Sequence, residues 1–366
     1  MRELNLLWQN KLSLFAVFAL ILSSFLIVGT ASAQPYFQGK VISFVVPYSA
    51  GGGTDVLGRM LSRHLSQYIP GNPSIVIRNM PGAGGMIGSH HVYFQKSSDG
   101  KTVLLTSGSD TNANILRLKG VEYYLEKMHP IYSIPIGAVI VYKPGLIKER
   151  KDILKTKGLI FGHTGPTGST GSAFVWAKEL LGFESKEIWG YDGGGPSRMA
   201  FISGETNVSG QTTVGYNASF KPLVDRNQAV PLFQTGLLDE NGNVVKEEGA
   251  PDVPTVPELY EQIYGKKPTG PVWEAYKLIV GSSTYGKTVL LPTITPPNIV
   301  KIYRDAFAKM VKDPNFLKES DLLNPGAPHF IGDKLTSGYP KGVSGPPEVI
   351  QFMRKVLSEK YNVRFD

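Results

Sequence analysis

A short strand, a glycine-rich loop and a helix follow one another again and again, and that order limits the fold more than any other feature of the sequence. Val41 to Pro47 is a β-branched and aromatic run, broken by Ser49-Ala50-Gly51-Gly52-Gly53. Thr54 then opens a helical stretch with Val56, Leu57, Met60, Leu61 and Leu65 on one face. Ser74 to Ile77 is a second strand, followed by Pro81-Gly82-Ala83-Gly84-Gly85 and a helix from about Met86. Thr102 to Leu105 is a third, ending in Thr106-Ser107-Gly108-Ser109. Strands separated by helices pair in parallel through right-handed crossovers. The loops leaving their carboxyl ends then gather along one edge, where ligands bind.

The plan recurs. Ile131 to Val141 is strongly apolar and reads as a buried strand crossing to a second lobe. Leu159 to Phe161 leads into Gly162-His163-Thr164-Gly165-Pro166-Thr167-Gly168-Ser169-Thr170-Gly171, and a helix with Phe174, Val175, Leu180 and Leu181 follows. Ile188 to Tyr191 enters another glycine turn, Asp192-Gly193-Gly194-Gly195-Pro196. Val230 to Thr235 reads as the strand returning to the first lobe, and Tyr276 to Val280 as a further strand. Amphipathic helices over 297–312 and 347–360 read as scaffold. The expectation is an α/β chain of two lobes, each a mostly parallel sheet flanked by helices. Residues 34–138 with 236–366 form one lobe and 139–235 the other, with a ligand cleft between them.

Ahead of this lies a different kind of segment. Arg2 and Lys11 supply positive charge, Leu12 to Val28 is a 17-residue apolar run, and Ala31-Ser32-Ala33 reads as a small-residue cleavage site. Residues 1–33 are therefore predicted to be a signal peptide removed after Ala33. The mature chain would carry 36 basic against 29 acidic residues, a surplus that favours anions. The charge is scattered, which does not fit a nucleic-acid surface. The chain has no cysteine, so thiol catalysis, disulfides and cysteine-based metal sites are excluded.

Glycine loops that open helices are anion sites, because the first helical amides lack partners and the helix dipole adds positive charge. Two such loops lie in each half, at 49–54, 81–86, 162–171 and 192–196. Hydroxyls at Ser49, Thr54, Ser107, Ser109, Thr164, Thr167, Ser169 and Thr170 are placed to complete a carboxylate's hydrogen bonding. His163 either donates to such a ligand or is a plain surface histidine.

These residues carry a resemblance. Val46-Pro47-Tyr48-Ser49-Ala50-Gly51-Gly52-Gly53-Thr54-Asp55 resembles the opening motif of the tripartite tricarboxylate transporter family of solute-binding proteins. Asn79 to Gly88, Asp99 to Leu105, Tyr191 to Pro196 and Pro251 to Glu258 match further motifs of that family in order. The resemblance implies a two-lobed periplasmic binding fold of the type II kind and a receptor that delivers a small organic carboxylate to membrane transporter subunits. It also implies a monomer in the periplasm, with neither cofactor nor metal. By position, Tyr48, Ser49, Gly51, Gly52, Gly53 and Thr54 form one arm of an anchoring pincer, and Gly82, Ala83, Gly84 and Gly85 the other. Ser107, Thr167, Ser169 and Gln211 become selectors, with His163, Thr164, Gly168 and Thr170 beside them. Asp192 stands where the family commonly has Lys, and Met80 where it commonly has Arg.

Other motifs lead elsewhere. Gly281-Ser282-Ser283-Thr284-Tyr285-Gly286-Lys287-Thr288 matches the P-loop pattern, but Val289-Leu290-Leu291-Pro292 follows instead of the required helix. Lys287 is set aside with that motif, and its replacement is expected to leave anion affinity within about twofold, which is ~0.4 kcal/mol. Neither a Gly-x-Ser-x-Gly elbow nor a His-Glu-x-x-His pattern occurs. A hydrolase or transferase using the same cleft would lack an identifiable nucleophile–base pair. A receptor feeding a sensor instead of a transporter stays open.

Overall fold

The computed structural model describes residues 34–95, 99–239 and 241–365; the expected signal peptide lies outside them. Two five-stranded sheets organise the chain. In sequence, strands β1 (Val41–Val46), β2 (Ser74–Asn79), β3 (Thr102–Leu105) and β4 (His129–Ile134) precede β5 (Ala138–Tyr142), β6 (Ile160–His163), β7 (Lys186–Trp189), β8 (Val208–Thr212) and β9 (Val230–Gln234). The short hairpin β10 (Leu237–Leu238) and β11 (Val244–Val245) and the strand β12 (Lys287–Leu291) complete the set. The first sheet runs β2-β1-β3-β12-β4 and the second β7-β6-β8-β5-β9. Each is mixed: a parallel trio (β2-β1-β3, β7-β6-β8) continues into two antiparallel strands.

The apolar run at 131–141 is thus not one strand. It ends the first sheet as β4, bends at 135–137, and enters the second as β5. Val230–Gln234 pairs with β5 as an edge of the second sheet, so the chain leaves that sheet only after Gln234. The segment 276–280, read as a strand, is the end of a helix.

Helices α1 (Gly53–Leu65), α2 (Met86–Tyr93), α3 (Gly108–Leu116), α4 (Ser169–Leu181) and α5 (Gly194–Ser203) follow the glycine loops. Helices α6 (Val256–Tyr264), α7 (Pro271–Ser282), α8 (Pro297–Met310), α9 (Pro314–Leu323), α10 (Gly332–Gly342) and α11 (Pro347–Tyr361) complete the chain. Strand alternation gives each sheet two buried faces. Phe44 and Val46 pack with Leu57, Leu61, Tyr303 and Phe307 of α1 and α8. Val45 points the other way, to Val92, Tyr123, Leu335 and Tyr339. In β5, Ile140 and Tyr142 join Phe161, Phe174 and Trp176, whereas Val139 and Val141 join Phe201 and Phe220. Tyr276 and Ile279 of α7, and Met353 and Leu357 of α11, complete the core beside Phe174. Helices α7 and α11 therefore tie down the second sheet although the strand β12 between them lies in the first.

Candidate functional site

The loops at the carboxyl ends of β1, β3, β6, β7 and β8 enclose a cavity of about 30 Å³. Tyr48, Gly52, Gly53, Thr54, Ser107, Ser109 and Lys287 line it from the first sheet's side. His163, Thr164, Ser169, Thr170, Gly193, Gly194, Gln211 and Thr212 line it from the second. Larger cavities lie elsewhere. One of about 540 Å³ lies along 157–160 and 184–186. Its Lys157 and Lys178 are paired with Glu184 and Glu187.

Three helices begin at the small cavity without a side-chain cap from the residue before them. These are α1 after Gly52, α4 after Gly168 and α5 after Gly193. Apart from Ser169 N, which donates to Ser109 Oγ, their first amides are a ready field of donors for an anion. The fourth, α3, caps itself: Ser107 accepts from Ser109 N, and Asp110 returns the bond to Ser107 N. Asp55 fixes the first loop. It accepts from Gly51 N at 3.0 Å and from Asn79 Nδ2 at 3.1 Å, while Asn79 also donates to Tyr48 O.

The two sides touch. Ser49 N donates to Asp192 O at 3.0 Å, Ser169 N to Ser109 Oγ at 2.8 Å, and Asn112 Nδ2 to Thr167 O at 3.1 Å. Glycines make the approach feasible. A Cβ on Gly53 would lie 2.3 Å from Thr212 Oγ1 and 2.9 Å from Gly215 N, and one on Gly195 would lie 2.3 Å from Ala50 O.

A buried polar platform backs the cavity. Tyr48 OH donates to Asp110 Oδ2 at 2.8 Å, Ser107 Oγ donates to Tyr48 OH at 2.8 Å, and Ser89 Oγ donates to Asp110 Oδ1 at 2.6 Å. Burial pushes the Asp110 carboxyl up. Burial, and then Asp110, drive the Tyr48 hydroxyl well above its ordinary range.

Lys287 opens β12. Because β12 runs antiparallel to β3, its first residue lies at the edge where β1 and β3 end. It is 1% exposed, and its Nζ donates to Thr54 Oγ1. Burial, opposed by the charge of Asp110, lowers its pKa to about 7. His163 ends β6 with Nδ1 3.2 Å from Thr164 Oγ1. Burial and then Lys287 bring its pKa down to about 4, so it is neutral at pH 7. His163 Nε2 and Thr212 Oγ1 are buried and have no hydrogen-bond partner, a state that ordinarily asks for a ligand or water.

Of the residues singled out in the sequence, Tyr48, Gly52, Gly53, Thr54, Ser107, His163, Thr164, Ser169, Thr170 and Gln211 come together at the cavity. Gln211 also donates from Nε2 to Gly194 O. Ser49, Gly51, Thr167 and Gly168 brace the loops around it. Gly82, Ala83, Gly84 and Gly85 stand back from it. Ala83 and Gly84 face solvent, and Gly85 makes room for the platform, since a Cβ there would lie 2.8 Å from Tyr48 OH. Sequence reasoning did not bring in Lys287. The P-loop pattern is absent as a structure, because its lysine enters a strand, and the structure places that lysine at the cavity wall. Thr212 was missed too, and nothing in the sequence around it marks it. Among the described residues no cluster of three or more His, Asp or Glu side chains could hold a metal ion.

Three curated relatives carry part of this sequence. The chain is 34% identical to BugT of Bordetella pertussis over 149 residues, 40% of this chain and 44% of BugT. It is 39% identical over 71 residues to a UPF0065 protein of Pseudomonas sp. strain P51, 19% of this chain and 20% of that protein. A UPF0065 protein of Cupriavidus necator matches at 24% over 327 residues, 81% and 82% of the two chains. The chain thus spans less than half the length of the first two relatives. No family model matches. Among solved structures, periplasmic binding protein BugD superposes with a TM-score of 0.67 at 18% identity, covering 90% of this chain and 100% of BugD. MatC of Rhodopseudomonas palustris with bound malate gives 0.63 at 17%, covering 88% and 100%. An R. palustris protein with adipate gives 0.65 at 18%, covering 90% and 99%. The fold is therefore that of the periplasmic binding proteins. Within that class, its sequence is similar to the Bug and UPF0065 proteins, in keeping with the tripartite tricarboxylate transporter motifs that it resembles.

Proposed function

We propose that this protein is an exported, non-enzymatic receptor that captures a small organic carboxylate in the periplasm and hands it to the membrane subunits of a tripartite tricarboxylate-type transporter. One observation carries the reading: the helices α1, α4 and α5 start at a single cavity without side-chain caps of their own. Helix-start amides without caps from their own preceding residue, aligned dipoles and a ring of hydroxyls suit a carboxylate better than a cation or an apolar ligand. Malate and adipate in the related structures are consistent with this class.

The same reading assigns the lobes. The first sheet's strands at 41–134 and 287–291 belong to one, and 138–234 to the other. Closure would turn on 135–137 and on the connections from α7 to β12 and from α10 to α11, because the core residues from Ala250 to Val280 pack with the second sheet. A few residues suffice to absorb such a rotation. The test is a thermal-shift screen of the exported protein against acetate, lactate, malate, adipate and benzoate. A receptor is stabilised by an amount that grows with the logarithm of ligand excess over Kd. A flat response to every carboxylate, with stabilisation by amines or sugars instead, would reject the assignment.

A further inference from the structure

We infer that Lys287 is the direct charge partner of the ligand, so that this receptor seizes a carboxylate with a buried side-chain cation as well as with backbone amides. The inference rests on the receptor reading above and deepens it. Lys287 is fully buried at the cavity wall, and among the described residues no carboxylate lies within ion-pair distance of its ammonium. Of its three donors, one is used, on Thr54 Oγ1. Its nearest acidic neighbour, Asp110 on α3, is already occupied: Ser89 Oγ, Tyr48 OH and Ser107 N fill both its oxygens. The remaining groups that face Lys287 carry no negative charge at neutral pH. Thr54 on α1 is a hydroxyl, Tyr48 after β1 is held protonated, and His163 at the end of β6 is neutral.

A buried cation left in this state is costly, and an anion placed against it removes the cost. The unpartnered His163 Nε2 and Thr212 Oγ1 border the same space, so three unsatisfied polar groups converge where an anion would lie. Without ligand, burial holds the pKa of Lys287 at about 7, so about half the molecules are uncharged at neutrality. An entering carboxylate restores the charge. Capture is then coupled to uptake of one proton above pH 7, and affinity falls about tenfold for each pH unit in that range. The acids used as probes are fully ionised there and contribute no slope of their own.

The experiment is calorimetric titration of the exported protein with acetate, lactate, malate, adipate and benzoate from pH 6.5 to 9. It compares wild type, Lys287→Met and Lys287→Gln, with circular dichroism and melting temperature recorded for each. The expected result is at least a hundredfold weaker binding in both variants, at unchanged or higher melting temperature without ligand. Wild-type affinity should decline above pH 7, and any residual binding in the variants should be flat. Binding within twofold of wild type in a folded variant, or a wild-type affinity independent of pH from 7 to 9, overturns the inference while leaving the receptor intact. Binding of none of the acids by wild type overturns the receptor reading and this inference with it. If both variants unfold, the wild-type pH profile alone decides.

Discussion

Ser109 Oγ accepts the amide hydrogen of Ser169 at 2.8 Å, so a hydroxyl from α3, on one side of the cleft, caps α4 on the other. On the two-lobe reading proposed above, the bond forms only when the two sides meet. Ser109→Ala should therefore leave the ligand-free protein as stable as wild type while weakening carboxylate binding. A lost cap is worth about 1 kcal/mol, or roughly fivefold in affinity. Calorimetry with the best carboxylate from the thermal-shift screen measures it. Unchanged affinity would mean that the contact does not belong to the bound state.

Glycines 52 and 53 give a sharper pair. The nearest atom to a Cβ on Gly52 is Gly194 N at 3.4 Å, ordinary contact, whereas a Cβ on Gly53 would overlap Thr212 Oγ1 and crowd Gly215 N. Gly52→Ala is expected to bind within a few-fold of wild type. Gly53→Ala should fold but close poorly, losing at least tenfold in affinity, which is about 1.4 kcal/mol. Equal losses in the two variants would show that the loop's flexibility matters and its clearance does not.

Glu247 offers a pH test. It is buried near the crossing segments, with Oε1 accepting from Thr213 Oγ1 at 2.7 Å and Oε2 without a partner. Burial, against the hydrogen bonds from Thr213 and Gly137, raises its pKa from an ordinary 4.5 to about 7. A carboxyl whose pKa is higher in the folded state contributes stability that is complete below 4.5 and lost as pH rises through 7. The loss is on the order of 3 kcal/mol if the whole shift is realised. Glu247→Gln should accordingly be relatively more stable at pH 8 than at pH 5, measured as the difference in melting temperature from wild type. Taking the difference cancels the opposite trend from Lys287, whose lowered pKa makes stability rise between 7 and 10.5. Parallel curves for wild type and variant would contradict the assignment.

The N-terminal segment has its own check. Intact-mass measurement of protein released from the periplasm should place Gln34 at the N-terminus. Full-length chain recovered with the membrane would instead make residues 1–33 an anchor.

Much of the site was legible because its residues follow strands directly. Tyr48 to Thr54 after β1, His163 to Thr170 after β6, and Gly193-Gly194 after β7 all sit in loops whose glycines and helix starts can be read from local pattern. What could not be read was whatever depends on long-range pairing. Lys287 reaches the site because β12, late in the chain, inserts antiparallel between β3 and β4, and its neighbours happen to spell a nucleotide motif. The break of 131–141 into β4 and β5 was missed although Pro135 and Gly137 stand at the bend, because the halves on either side are both apolar and buried. The 82–85 loop carries a glycine pattern like the loops at the cavity, yet a Cβ on its Gly85 would meet Tyr48 OH and Asp110. Pattern alone does not separate packing from binding as the reason for a glycine.

The most direct measurement is a crystal structure of the exported protein grown with the carboxylate that stabilises it most in the thermal-shift screen. The carboxylate is expected between the first amides of α1, α4 and α5, within hydrogen-bond distance of Thr54 and Ser169 and against Lys287 Nζ. The acid bound instead along 157–160 and 184–186, with the cavity between Gly53 and Gly194 left to water, would contradict the proposed site.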